Sequence, residues 1–416
     1  MTQRPAKSNP QIIIIGGGAS GLAAACICAC AGIPFLLLEK EARLGRKLLA
    51  TGNGRCNLMN TGEPVFFGEE AFARQVLSAC GAAEVGAFFR GLGLTFFEEE
   101  AGRVYPLTRQ AATVLDCLVS CIENSPLSQA KTACRAEDIK KTNKGYTVYT
   151  AQGEKFEAPR IILAPGSPAA PKLGGSDSLI QLLVKTGHSL IPFFPALSAL
   201  ETNTMEIKGM AGLRLPAWLT LCHDENPVSA SAGELLFTEY GLSGLCAMQL
   251  ARDAWTGLAS TKKVSVSIDF SPLLGLVPPL MRRLASGERD PKAARKRVLA
   301  LLESRLRSLG AYNLYTGLLP RQLAQKLKNL PLQSAADWLS GLLLPVLGVK
   351  GFEQAQVAAG GIACQDFNPF TMESNKAPGL YLCGEALNVD GDTGGFNLLF
   401  AWATGILAAR HAVSAV

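Results

Sequence analysis

From Ile12 to Leu38 the chain runs for 27 residues without a charge, and any fold must accommodate that stretch. With Arg4 and Lys7 ahead of it, hydropathy alone suggests a signal peptide or a membrane span. Its interior argues against both. Five glycines, three of them consecutive at Gly16, Gly17 and Gly18, and Pro34 near the far end make a poor single helix, because each Gly costs ~1 kcal/mol and Pro ~3. Read by period, the stretch predicts a strand (Ile12 to Ile15), a glycine turn, a helix from about Ser20 to Ala31 stopped by Gly32, and a second strand (Phe35 to Leu38). Both strands are continuously apolar, as expected where helices cover the two faces of a parallel sheet.

The turn is chemically specific. Gly16, Gly18 and Gly21 form G-x-G-x-x-G directly after a strand, with Ala19 and Ser20 opening the helix and Glu39 standing 18 positions after Gly21, followed by Lys40. Gly16 permits the tight turn, Gly18 lets backbone approach a pyrophosphate, and Gly21 lets helix and strand close together. The helix N-terminus offers N–H groups to the anion. Glu39 is expected to take the hydroxyls of an adenosine ribose, and its charge disfavours a 2′-phosphate.

The other chain end decides which dinucleotide. An apolar strand runs into Gly384-Glu385, followed by Asp392, Gly395, Phe396 and Asn397 and then an apolar helix to about Ala409. This arrangement fits FAD: the Gly-acid pair meets the ribityl and pyrophosphate part, and the positive end of the last helix offsets charge on the reduced flavin. A third strand ends at Ala164-Pro165-Gly166, where flavoproteins of this class carry Ala-Thr-Gly; Pro165 removes an N–H donor there.

The block Gly45-Arg46-Lys47 through Asn53-Gly54-Arg55-Cys56-Asn57, the stretches 233–238, 241–244 and 371–374, and the block 384–405 together resemble the bacterial FAD-dependent flavoproteins of the aminoacetone oxidase and bile-acid-reductase type. The resemblance implies an α/β fold with a Rossmann-like FAD-binding domain of the glutathione-reductase type assembled from both chain ends (1–195 and 346–416). It also implies an inserted β-barrel-like part (196–270) and a basic helical part (271–345). Arg46, Lys47 and Arg55 are then expected to offset pyrophosphate charge or polarise a substrate, and Asn53 and Asn57 to hydrogen-bond the cofactor. Salt bridges from Arg46 or Arg55 to Glu39 or Glu41 are the alternative. Cys56, beside Arg55, is either a low-pKa thiol near the flavin or a packing residue. Relatives carry a His where Glu239 stands and a Pro where Leu245 stands. Glu239 is therefore a candidate proton donor or a surface carboxylate, and Arg55, Tyr105 and Glu239 are the catalytic candidates. Arg103 and Arg109 join Tyr105 in a second polar cluster.

The insertion agrees with the sequence pattern. Val264 to Ile268 alternates, Asp290-Pro291 reads as N-cap and first residue of a helix ending at Gly310, and Val298, Leu302, Leu306 and Leu309 form one stripe on it. Leu323, Leu327 and Leu330 mark a second amphipathic segment. The net charge of +6 is concentrated here: residues 281–330 hold 12 Lys and Arg against three acids. A nucleic-acid binder usually spreads its basic surface and interleaves aromatics, so a solvated outer face is favoured over docking to nucleic acid. A flavin protein docking to nucleic acid through this insertion stands as the alternative function.

The 416 residues accommodate about three domains at ~150 each. The 12 scattered cysteines point to reduced thiols in the cytoplasm rather than a secreted disulfide framework. Cys26, Cys28 and Cys30 do not share one helix face, and the three His are isolated, so no metal site is expected. No C-x-x-C pair is present, and no second G-x-G-x-x-G occurs between Ser167 and Lys350. NAD(P)H, if it reduces the flavin, therefore binds transiently. The expected activity is hydride transfer between FAD and a small or polycyclic organic substrate, with NAD(P)H or oxygen as second partner and no membrane involved.

Overall fold

The computed structural model describes residues 9–277, 282–284 and 290–416. They divide into two compact units: the chain up to Phe193 together with Val357–Val416, and Phe194–Gln356.

The first unit is built on a five-stranded parallel sheet, in the order Leu380–Leu382, Arg160–Leu163, Ile12–Ile15, Phe35–Leu38, Ser128–Lys131. Ile12 pairs with both Arg160 and Phe35, and Ile161–Leu163 pair on their other side with Leu380–Leu382, so the strands brought together come from both chain ends. The four isoleucines 12–15 are almost wholly buried, which explains why this run shows no alternation. Helix Ala19–Cys30 follows one residue earlier than expected. It lies against the C-terminal helix Phe396–Ser414 so closely that a Cβ on Gly405 would stand 2.2 Å from Ser20 O. The C-terminal helix, buried continuously from Trp402 to Ala409, runs to Ser414, past the expected Ala409. A three-stranded antiparallel sheet, Ala136–Thr142, Gly145–Thr150 and Lys155–Ala158, precedes the return strand Arg160–Leu163.

The second unit contains a closed barrel. Strands Arg214–His223, Val264–Asp269, Leu342–Val349, Leu200–Thr202, Gly241–Ser243 and Asn226–Thr238 pair in that order, and the last pairs back with the first. The alternating positions Leu215, Ala217, Leu219, Leu221 and Val264, Val266, Ile268 fill its interior. Helix Pro291–Leu309 begins as its sequence indicates, with Asp290 Oδ1 accepting from Lys292 N (2.9 Å) and Ala293 N (3.1 Å).

Three features depart from the sequence reading. Val298, Leu302, Leu323 and Leu327 join the same core as the barrel strands, so barrel and helices share one core instead of dividing at 270/271. Strand Leu342–Val349 closes the barrel, and the first unit therefore resumes at Val357 and not at 346. Leu306, Leu309 and Leu330 are 37%, 48% and 38% exposed, so each expected apolar stripe is buried only at its first half. Part of the basic segment, residues 285–289 among them, lies outside the described residues.

Candidate functional site

The glycine turn is set by contacts no side chain would permit. Gly16 has φ +108°, and a Cβ there would stand 2.1 Å from Ala164 O; one on Gly21 would stand 1.8 Å from Gly16 O. Gly18 is different: nothing lies within 4 Å of its Cβ position, so its backbone faces open space. Gly18 is the N-cap of helix Ala19–Cys30, with neither a capping side chain nor an acid in the first turn, which leaves first-turn N–H groups for an anion. Ser20 is buried, its Oγ against Gly384, and it joins the two chain ends instead of facing the open side.

A cleft opens on this turn, lined by Gly16–Gly18, Glu39–Glu41, Gly45–Lys47, Arg135 and Ala164–Ser167 among others. Glu39, 9% exposed, accepts from Gly17 N through Oε2 (2.6 Å) and from Glu41 N through Oε1 (2.7 Å). Its carboxylate therefore holds the turn as well as facing the cleft. Burial lowers the Lys40 ammonium below its usual range. Gly45 N donates to Gly17 O (2.8 Å), tying the second block to the first. Arg46 pairs with Glu41 and donates to Lys172 O (2.9 Å). The salt-bridge alternative is thus realised, although Arg46 still lines the cleft. Lys47 Nζ meets Glu385 Oε2 at 2.7 Å, and Glu385 Oε1 accepts from Ala358 N (3.1 Å). These two expected cofactor residues neutralise each other across 338 positions of sequence.

The remaining candidates form a second group. Asn57 Oδ1 is buried with no hydrogen-bond partner and stands 2.9 Å from a Cβ placed on Gly395. Gly395 (φ 110°) is the uncapped N-terminus of the last helix. Two residues absent from the sequence reading hold this junction: Asn60 Nδ2 donates to Gly394 O (2.8 Å) and Trp402 Nε1 to Leu58 O (2.9 Å). Asn397 clamps Gly391 through both amide atoms (2.8 and 2.7 Å). Asp392 Oδ1 accepts from Thr393 N (2.7 Å), and Phe396 is buried edge-on to Phe66 at 6.1 Å. These three build the loop. Asn53 and Gly54 are exposed in a left-handed turn (Asn53 φ 55°). Arg55 is exposed, its guanidinium 5.5 Å from the Tyr105 ring centroid. Cys56 is fully buried, and burial pushes its thiol up to about 12, which excludes the low-pKa reading and leaves packing.

Tyr105 is buried, while Arg103 Nε donates to Glu100 O (3.1 Å) and Arg109 pairs with Glu99 (2.6 Å) over the Phe97 ring. Both arginines are thus engaged by acidic-segment neighbours, Glu99 and Glu100, rather than by Tyr105. Glu239 is an exposed residue of the turn between strands Asn226–Thr238 and Gly241–Ser243 in the second unit, the surface-carboxylate alternative. Arg135 escaped the sequence reading because the hydrogen bonds Ala133 N to Glu41 O and Cys134 N to Glu39 O (both 2.8 Å) bring its segment to the cleft, and no local motif marks them.

An uncapped helix N-terminus, a backbone approach left open at Gly18, a carboxylate beside Lys40, Arg46 and Arg135, and an unpaired acceptor at Asn57 all fit an adenine dinucleotide carrying a flavin. Fold and site together define an FAD-dependent oxidoreductase with a Rossmann-type nucleotide domain. The chain belongs to the family described as HI0933-like protein Rossmann domain, which matches residues 10–411. It is 35% identical, over 97% of its length and 98% of the relative's, to 3-dehydro-bile acid delta(4,6)-reductase of Clostridium scindens. It is 26% identical, over 97% and 98%, to the ribosomal RNA dihydrouridine synthase of Escherichia coli. Among solved structures, 3-ketosteroid delta1-dehydrogenase from Sterolibacterium denitrificans shares the fold, with a TM-score of 0.53 and 12% identity over 98% of this chain and 100% of that one. No described helix is long and apolar enough to cross a membrane.

Proposed function

We propose that this chain reduces a carbon–carbon double bond conjugated to a carbonyl in a polycyclic, steroid-like substrate, with NAD(P)H reducing the flavin first. The reading rests on the 35% identity to the delta(4,6)-reductase along nearly the whole of both chains. A cytoplasmic location accords with the lack of any disulfide among the described cysteines.

When bound, FAD carries the hydride between donor and substrate. The chain's own residues bind and orient. Gly16–Gly18 and the first turn of helix Ala19–Cys30 receive the diphosphate, Glu39 receives the adenosine ribose, and Lys40, Arg46 and Arg135 offset the diphosphate charge. The N-terminus of helix Phe396–Ser414 and the Asn57 amide receive the polar edge of the isoalloxazine.

The test is anaerobic. NADH or NADPH should bleach the flavin absorbance, and a 3-oxo-4,6-diene steroid should restore it while the diene is saturated. Reoxidation by oxygen but by no enone refutes the proposal.

A second reading has its own support: the dihydrouridine synthase relative, whose product, a dihydrouridine, also has a double bond beside a carbonyl saturated, and the 12 cationic residues within 281–330. Ribosomal RNA that restores the absorbance, bound with an affinity falling steeply as salt rises, would select it over the steroid.

A further inference from the structure

Helix Ala19–Cys30 and helix Ala111–Glu123 carry thiols at the same spacing, Cys26 with Cys30 and Cys117 with Cys121, so each pair lies on one helix face. Cys30 Sγ is 3.8 Å from Cys121 Sγ, although 91 positions separate them in sequence. Cys30 is exposed and Cys121 half-buried. Cys26 is fully buried behind them, its Sγ 3.4 Å from Leu118 O. The two accessible sulfurs need to approach by only about 1.8 Å to reach a disulfide bond length of ~2.05 Å. Cys30 is the last residue of its helix, where an exposed side chain has room to turn.

We propose that Cys30 and Cys121 are a peroxide-sensitive pair that closes reversibly to a disulfide, fastening the end of helix Ala19–Cys30 to helix Ala111–Glu123. No feature of the cleft or of the proposed substrate requires this pair.

The oxidant is a hydroperoxide, the species oxygen becomes when it takes two electrons from a reduced flavin. The Cys121 thiolate attacks one peroxide oxygen; the S–O bond forms, the O–O bond breaks, and hydroxide leaves to take up a proton as water. The Cys30 sulfur then attacks the Cys121 sulfenic acid. The S–S bond forms, the S–O bond breaks, and the departing hydroxide takes the Cys30 proton as a second water. Two thiols lose two electrons and one peroxide gains them.

Cys121 is the attacking group for a physical reason. The neighbouring Cys26 and Cys30 thiols bring it down to about 6, whereas burial and the adjoining Cys121 push Cys30 up. The anion therefore forms more readily on Cys121 than on Cys30, and the thiolate is the nucleophile in both peroxide attack and disulfide exchange. Helix Ala19–Cys30, which ends at Cys30, begins after its N-cap Gly18, where the proposed function places the diphosphate, so the clasp closes on the far end of that element.

The experiment uses the full chain loaded with FAD, treated with hydrogen peroxide, quenched with iodoacetamide and mapped as peptides without reductant. The expected result is a loss of two hydrogens per chain, with the Cys30 and Cys121 peptides linked, and its reversal by dithiothreitol. Cys30→Ser should stop at a Cys121 sulfenic acid captured by dimedone, and Cys121→Ser should give neither product. The proposal is overturned if both cysteines remain alkylatable in the treated wild type, if the linkage joins other cysteines, or if it forms only between chains. Because the readout is mass and not turnover, it stands or falls independently of the substrate assigned above.

Discussion

Replacing Glu39 with Gln separates two roles that the cleft superimposes. The carboxylate accepts two short backbone hydrogen bonds, from Gly17 N (2.6 Å) and Glu41 N (2.7 Å), one on each oxygen, and the group is 9% exposed. Gln keeps the length and one oxygen. Its amide nitrogen then faces an N–H, donor against donor. A hydrogen bond to a charged acceptor contributes ~1.5–3 kcal/mol and a buried N–H without a partner costs ~1–3, so the turn should lose about 2–4 kcal/mol even with no cofactor bound. At 1.4 kcal/mol per tenfold, that is roughly a 30- to 1000-fold rise in local opening. Hydrogen exchange of residues 12–47 in the FAD-free protein measures it directly. Glu41→Gln serves as the control, since Glu41 pairs with a partly exposed Arg46 and such pairs contribute only ~0–1 kcal/mol. Exchange in Glu39→Gln within twofold of wild type, accompanied by loss of FAD, would refute the structural half of the argument and leave the carboxylate a ligand only.

Gly21→Ala and Gly18→Ala should fail in different ways. The first places a Cβ 1.8 Å from Gly16 O, a backbone clash costing ~1–3 kcal/mol or more, and should lower the unfolding midpoint of the FAD-free protein. The second meets nothing in the protein, so it should leave that midpoint in place while lowering the FAD-to-protein ratio after dialysis. Cys56, buried with its thiol raised to about 12, should escape iodoacetamide at pH 8 while Cys121 is labelled; fast labelling of Cys56 by peptide mass would contradict the burial argument. His188, hydrogen-bonded to Ser374 Oγ (2.8 Å), is held below its ordinary pKa by burial. The unfolded chain therefore takes up a proton near pH 6.5 that the folded chain refuses, and stability is lost as pH falls below that value. Urea titrations from pH 7.5 down to 5 should show a slope that His188→Gln flattens; an unchanged slope would assign the loss to other groups.

Local geometry made part of this protein readable in its sequence. The strand Ile12–Ile15, the Gly16–Gly21 turn and the strand Phe35–Leu38 could be placed because backbone sterics, helix ends and burial on both sheet faces act over fewer than about ten residues. Asp290 and Pro291 located a helix start for the same reason. Whatever depends on distant partners stayed hidden. Arg46 and Glu41 are near in sequence and their pairing was an open alternative, whereas the Lys47–Glu385 pair spans 338 positions and carries no local mark. Arg135 reaches the cleft only because its segment hydrogen-bonds to Glu39 and Glu41. The half-exposed stripe at Leu306 and Leu309, the barrel strand Leu342–Val349 and the 3.8 Å meeting of Cys30 with Cys121 were likewise decided by packing. A hydrophobic period states which face of an element can be buried, and only the tertiary fold brings the surface that buries it.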